Sequence, residues 1–263
     1  MYVVLNGKFK EQKKAVIPVT DNGFLYGDAV YETMRTKDGD VWLFGKHIKR
    51  LKKSAKAVGI KIPYTTKEIR RMIETLIEKN KSKEVRIRIT LSRGSHGLDF
   101  GPVKKPTFLV QTKPIVLPPE TLYETGVSVV TYTIERPMPK VKSTSMLPTI
   151  AAYRYARKKN AFEAVLVDHR GRISECSMSN IFFVRKGKLI TPKHNVLEGT
   201  VRNLVIKQGK AKRTTIKKRD LPKMEECFIT STIKGVLPVT NINGKCVGDG
   251  NVGPITKNLM KIV

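Results

Sequence analysis

Aromatic residues are scarce in this 263-residue chain, at 7% of positions with a single tryptophan. That is little for a surface that stacks nucleobases, and it argues against a binding module built on aromatic platforms. Cysteine is scarcer still, with Cys176, Cys227 and Cys246 scattered singly. Three isolated thiols with no CxxC pair argue against a disulfide framework and against a structural zinc site, so no metal is expected. No apolar run approaches the ~18 to 20 residues of a membrane span. The N-terminal MYVVLNGKFK has neither the apolar stretch nor the small-residue cleavage site of a secretory leader, so the cytoplasm is the expected compartment. Acidic residues are the last shortage. Twenty-two Asp and Glu stand against 51 Lys and Arg, a net charge of +29. Such a balance draws polyanions to the surface at low salt, which makes a basic nucleic-acid-binding protein a rival reading. Yet the lysines are spread along the chain, with no basic tail and no zinc-finger or RNP1-like motif. Solvated lysine faces are expected, and no dedicated nucleic-acid partner.

What the chain does have is enough apolar content, 40%, and enough length to bury a sizeable core. VVLNGKFK reads as strands around an Asn6-Gly7 turn, and Asp38-Gly39 marks a tight turn between VYETMRT and a second strand, VWLF. From Gly45 the period changes: Ile48, Leu51, Ala55 and Val58 recur at helical spacing, closed by Gly59. A second helix runs through TTKEIRRMIETLIEKN, with Thr65 or Thr66 as N-cap and Ile69, Met72, Ile73, Leu76 and Ile77 inward. EVRIRITLSRG and PTFLVQT read as strands. The proline-rich KPIVLPPETLYETG separates the halves. Beyond it, strands at GVSVVTYTI, AVLVDHRG, SNIFFVRKG, KLITP, CFITST and VLPVTNING alternate with helices near 147–159 and after Gly199. The expected fold is α+β, with a small N-terminal domain (1–115), a connection (116–126) and a larger C-terminal domain (127–263), each mixing antiparallel sheet with helices.

Lys142 follows a strand and precedes Ser143-Thr144-Ser145 and a helix. A lysine becomes a Schiff-base nucleophile when its pocket lowers its pKa, but spacing alone does not single it out in so basic a chain. The ordered set does. GFLYGDAVYETMR, HIKRL, KSTSMLP, ISECSMSNIFFV, VLEGTVR and FITSTIKGVLPV occur in this order over nearly the full length. In them the chain resembles the class IV, or fold-type IV, aminotransferases that depend on pyridoxal 5'-phosphate (PLP). This family includes branched-chain and D-amino-acid aminotransferases and aminodeoxychorismate lyase. The resemblance implies that Lys142 carries PLP as a Schiff base and moves the substrate's α-proton. It implies that Glu175 keeps the pyridine nitrogen protonated, so that the ring draws off electrons. Arg50 of HIKRL corresponds to a phosphate-binding arginine, whose planar fork suits that anion. The phosphate cup would be completed by Leu197, Gly199, Thr200 and Val201 at a helix N-terminus and by Ser231 and Thr232. Many relatives carry Ile-Thr where this chain has Thr200-Val201, which displaces that hydroxyl by one position. Ser179 and Asn180 would lie near the cofactor, although Asn180 could equally hold a turn. Tyr31 would line the substrate side, or else be a packed strand tyrosine.

The substrate divides the resemblance. Branched-chain enzymes often have Tyr-Leu soon after the lysine, whereas this chain has Met146-Leu147, and methionine cannot donate the tyrosine's hydrogen bond. D-amino-acid enzymes use an Arg-x-His element for the substrate carboxylate; RGSHGLDFGP offers His96 without it. Arg88 is a candidate carboxylate contact, with Arg86 or Arg93 as alternatives. The expected activity is transfer of an amino group between a branched-chain L- or D-amino acid and a 2-oxo acid, in a homodimer. The alternative is aminodeoxychorismate lyase, which releases pyruvate with the same cofactor.

Overall fold

The computed structural model describes residues 1–95, 97 and 105–262. They gather into two compact units, Met1–Val116 with Val141–Ser145, and Leu117–Lys140 with Met146–Val263.

The first unit opens with a hairpin of β1 (Tyr2–Leu5) and β2 (Lys8–Glu11). Asn6 and Gly7 take φ of 51° and 78°, the left-handed pair that a two-residue hairpin turn requires. A short helix, α1 (Asn22–Tyr26), precedes β3 (Ala29–Lys37) and β4 (Asp40–Val41). Then come α2 (Phe44–Ala57), α3 (Thr66–Lys79), β5 (Val85–Ser92) and β6 (Thr107–Pro114). The expected strand VWLF stops at Val41. Leu43 takes a positive φ of 54° and turns the chain straight into α2, while Arg35 and Lys37 of β3 cover the Trp42 ring. Thr65 caps α3 in a full capping box with Glu68.

Among the described residues these strands form one antiparallel sheet, ordered β2-β1-β6-β5-β3-β4. Strand alternation divides its two faces. Val30 and Met34 of β3, with Ile87 and Ile89 of β5, bury against Ile48, Leu51, Ile69 and Ile73 of the helices. Tyr31 and Arg88 therefore project from the opposite face.

The second unit contains α4 (Thr121–Thr125), β7 (Val127–Thr133), α5 (Leu147–Lys158), β8 (Glu163–Val167), β9 (Ile173–Cys176) and β10 (Asn180–Arg185). It continues with β11 (Lys188–Pro192), α6 (Thr200–Gln208), β12 (Lys212–Thr214), β13 (Glu226–Ser231), β14 (Gly235–Ile242), β15 (Lys245–Cys246) and α7 (Pro254–Met260). Its sheet runs β12-β11-β10-β13-β14-β7-β8-β9, with β15 on β14. β8 is buried on both faces: Val165 and Val167 enter one apolar cluster, while Ala164 and Leu166 meet Ala152 and Ala156 of α5 in another. Each unit mixes sheet and helix, so the α+β expectation holds. The second sheet is not purely antiparallel, however. β7–β8 and β11–β12 are parallel, as their helical crossovers α5 and α6 require, and β14–β7 is parallel as well. No helix among the described residues is long and apolar enough to cross a membrane.

Candidate active site

In the first unit, the segment bearing Lys142 lies along β3. Tyr31 N–H donates to Lys142 O at 2.9 Å and Thr144 N–H to Ala29 O at 2.9 Å. Lys142 N–H donates to the buried Ser54 Oγ of α2 at 3.2 Å. The lysine backbone is thus pinned while its side chain stays partly exposed. Its Nζ stands 4.5 Å from the centroid of the Tyr31 ring, and the Arg88 guanidinium 3.9 Å from it. Lys142, Tyr31 and Arg88 are therefore brought together by geometry. Burial draws Arg88 below the usual arginine range, helped by the charge of Arg86, which marks it as a partly desolvated cation. Of the alternatives to it, Arg93 is committed to Asp28 and donates to Val58 O at 2.8 Å. His96, with residues 98–104, lies outside the described residues.

Arg50 takes part in an arrangement that sequence patterns do not announce. Its Nε and Nη2 donate to Oε1 and Oε2 of Glu32 at 2.7 and 2.8 Å, while His47 Nδ1 stands 2.8 Å from Glu32 Oε2. Glu32 and His47 have no exposed side-chain surface. Burial alone would raise the Glu32 carboxyl, but the charge and hydrogen bonds of Arg50, with those of His47, hold it down to about 2. Burial pushes His47 below the usual histidine range, more than Glu32 raises it, and the charges of Arg50 and Lys142 push the same way. Facing an acceptor-only carboxylate, a neutral His47 carries its proton on Nδ1. The signal was available in strand parity, since Glu32 shares the inward face of Val30 and Met34, toward the helix that carries His47 and Arg50.

These shifts set an acid response. The folded chain binds the Glu32 proton more weakly than the unfolded chain, so the stability it contributes is full above about pH 4.3 and lost as pH falls through about 2. His47, kept neutral, costs stability below about pH 6.5, in the same direction. Thermal melting of Glu32→Gln and the unmodified protein is expected to differ by a few kcal/mol, on the order of the linkage, above pH 5 and to converge toward pH 2. A gap independent of pH would contradict this account.

In the second unit, Glu175 of β9 is buried, at 3% exposure. Its Oε2 accepts from Asn180 Nδ2 and from Leu197 N–H, both at 3.0 Å, and its Oε1 is 2.9 Å from Arg136 Nη1. Asn180 Nδ2 also donates to Leu197 O at 3.0 Å, so the amide holds both the carboxylate and the turn before α6. Gly199 is the N-cap of α6, and a Cβ there would fall 2.0 Å from Asn180 Oδ1, so no side chain is tolerated. Thr200 Oγ1 and Thr232 Oγ1 lie 3.4 Å apart, and Val201 is buried beside them in the first turn. Ser231 Oγ accepts from Lys234 N–H at 3.2 Å. The Ser179 hydroxyl donates to Glu163 at 2.7 Å and accepts from Lys234 Nζ at 3.2 Å. Arg136, Glu163 and Lys234 were missed because a lone charge in a loop or strand carries no pattern of its own.

Taken unit by unit, the donors suit different parts of PLP. Two hydroxyls beside a helix N-terminus, whose first amides lack intrahelical partners, suit a phosphate. A buried carboxylate oriented by an amide and a backbone N–H suits a protonated ring nitrogen. A lysine with a pinned backbone and a part-exposed side chain suits an aldehyde.

The model of the amino-transferase class IV family matches residues 29–242. The chain belongs to the class IV aminotransferases. Enzymes of this family use PLP, and this chain is a PLP-dependent aminotransferase. A Methanocaldococcus jannaschii protein, assigned provisionally as a branched-chain-amino-acid aminotransferase, is 36% identical over 98% of this chain and 94% of its own length. D-alanine aminotransferase of Staphylococcus epidermidis is 31% identical over 98% of this chain and 95% of its own. The solved structure of the branched-chain amino acid aminotransferase from Thermoproteus uzoniensis with norvaline is similar at a TM-score of 0.90 and 26% identity, covering 99% and 92% of the two chains. Another branched-chain amino acid aminotransferase, solved with pyridoxamine 5'-phosphate, is similar at a TM-score of 0.93 and 26% identity over the same shares.

Proposed function

We propose that this class IV aminotransferase moves the amino group of a branched-chain L-amino acid or a D-amino acid to a 2-oxo acid, with Lys142 as its catalytic residue. The observation that carries the reading is the mounting of Lys142: backbone hydrogen-bonded to β3 and α2, side chain part-exposed, amine 4.5 Å from the Tyr31 ring centroid. When bound, PLP supplies an aldehyde and an electron-withdrawing ring that stabilises negative charge at the substrate α-carbon. Lys142 Nζ would hold the cofactor through its aldehyde and would serve as the acid-base group that takes and returns the substrate's α-proton. Glu175 keeps the ring nitrogen protonated. Thr200, Thr232 and the first amides of α6 bind the phosphate, supported by Gly199, Val201, Leu197 and Ser231. Arg50 is the candidate phosphate-binding arginine, its fork also holding Glu32. Arg88 is the candidate for the substrate carboxylate, with Tyr31 walling the same space.

Borohydride reduction of the holoenzyme is expected to discharge its visible absorbance and fix the pyridoxyl group on Lys142, read by peptide mass. A tag on another lysine would overturn the reading. For the donor, branched-chain L-amino acids and D-alanine are offered separately with 2-oxoglutarate. Glutamate from neither would rule out the proposed substrate class.

The enzyme is proposed as a homodimer. Val16, Val19, Phe24, Leu25 and Tyr26 of the first unit stand exposed, Val19 at 77% and Phe24 at 75%, an apolar run suited to cover by a second copy. A cytoplasmic setting is proposed, in keeping with free thiols at Cys176, Cys227 and Cys246.

A further inference from the structure

Within the second unit lies a charge pair, its carboxylate buried and its ammonium half-buried, that no catalytic role requires. Glu163 of β8 is 1% exposed, and its Oε1 stands 2.8 Å from Lys234 Nζ and accepts from Ser179 Oγ at 2.7 Å. Its Oε2 accepts from Met178 N–H at 2.8 Å. Lys234 Nζ reaches Ser179 Oγ as well, and lies 5.7 Å from the Phe162 ring. Its backbone is tied equally firmly: N–H to Ser231 Oγ at 3.2 Å, and its carbonyl accepting from Tyr123 OH at 2.9 Å. Taking such a carboxylate out of water beside a half-buried ammonium gains little net stability against an apolar pair of the same shape. Pairs of this kind are retained in some proteins because they fix register.

What this pair fixes is specific. Lys234 belongs to the turn between β13 and β14 that presents Ser231 and Thr232. Ser179 and Met178 belong to the turn between β9 and β10, directly before Asn180, the amide that holds Glu175. One pair therefore ties the turn of the phosphate hydroxyls to the turn that orients the ring-nitrogen carboxylate. A cofactor that is one rigid ring with a short phosphate arm needs those two anchors at a constant separation.

We propose that Lys234 is a positioning residue which, through Glu163 and Ser179, sets the spacing between the Thr232 turn and Glu175. It rests on the assignment of those residues to PLP above. Lys234 is not itself a phosphate ligand in this reading, because its ammonium is spent on Glu163 and Ser179.

The test compares the affinities of the apoenzyme for PLP and for pyridoxal, which lacks the phosphate, followed by absorbance and by Lys142 labelling. Only a cofactor anchored at both ends senses the spacing. Lys234→Met is expected to weaken PLP about tenfold, the scale for losing an outer-shell partner of a binding group, and to leave pyridoxal nearly unchanged. Lys234→Arg, which keeps the charge pair, should retain most of the preference for PLP. Because Lys234→Met leaves Glu163 buried without its partner, Lys234→Met/Glu163→Gln is measured beside it. The double variant should regain melting temperature without regaining the PLP preference. Equal weakening of both ligands, an unchanged ratio, or return of the preference in the double variant would overturn the proposal. Wild-type protein that binds PLP and is labelled at Lys142 while the ratio stays fixed would sink this inference alone. No PLP binding by wild type would sink the underlying assignment as well.

Discussion

Lys142→Ala is expected to lower the transamination rate about ten-thousandfold, the upper end of what one positioned general acid-base group contributes. Three backbone hydrogen bonds hold the segment, and none uses the lysine side chain: Tyr31 N–H to Lys142 O, Thr144 N–H to Ala29 O, and Lys142 N–H to Ser54 Oγ. Alanine preserves all three, so the fold should survive and the loss should be chemical. The Tyr31 ring loses a cation at 4.5 Å but keeps Arg88 at 3.9 Å, which limits the local disturbance. PLP should still bind through its phosphate and ring nitrogen, with the absorbance of the free aldehyde. Stopped-flow spectra on mixing with donor measure the rate directly. Turnover within a hundredfold of wild type, in a folded variant, would show that another base serves the α-carbon.

Glu175→Gln is expected to cost on the order of a hundred- to a thousandfold in kcat, the scale for removing one preorganised electrostatic partner. Asn180 Nδ2 and Leu197 N–H both donate to one oxygen, Oε2, and glutamine keeps an oxygen to receive them. What glutamine lacks is the negative charge that makes a protonated ring nitrogen favourable in a buried place. Its amide would also face Arg136 Nη1, donor to donor, where the carboxylate has an ion pair at 2.9 Å. Melting temperature separates that packing cost from the chemical one, and the visible absorbance reports the ring's protonation. A kcat within tenfold of wild type would remove Glu175 from the chemistry.

Much of the fold was legible because it is written locally. Asn6-Gly7 makes the turn that its residue types prefer, Thr65 and Glu68 make a capping box, and Val85, Ile87, Ile89 and Leu91 alternate inward along β5. α1 was hidden: five residues with a glycine among them leave no period to see. The parallel pairing of β14 with β7 was hidden too, because partners so far apart in sequence leave no local mark. The site divides in the same way. Its residue types were read through resemblance, since a lysine, a glutamate and two threonines carry no spacing rule of their own. The partners that hold them come from other elements: Ser54 beneath Lys142, Glu32 within the fork of Arg50, Glu163 on the hydroxyl of Ser179. Side-chain commitments of that kind are decided by tertiary neighbours, which a single sequence does not display.

The return of Val141–Ser145 to the first unit bears on how the enzyme is made. During vectorial synthesis β3 leaves the ribosome early and gains β5 on one side, but Ala29 O and Tyr31 N–H on the other keep an open sheet edge. Open edges invite pairing with other chains. The segment that closes this one, through an isolated bridge between Val30 and Ser143, also carries Lys142. The contact that seals this edge is therefore the same one that mounts Lys142, the proposed catalytic lysine.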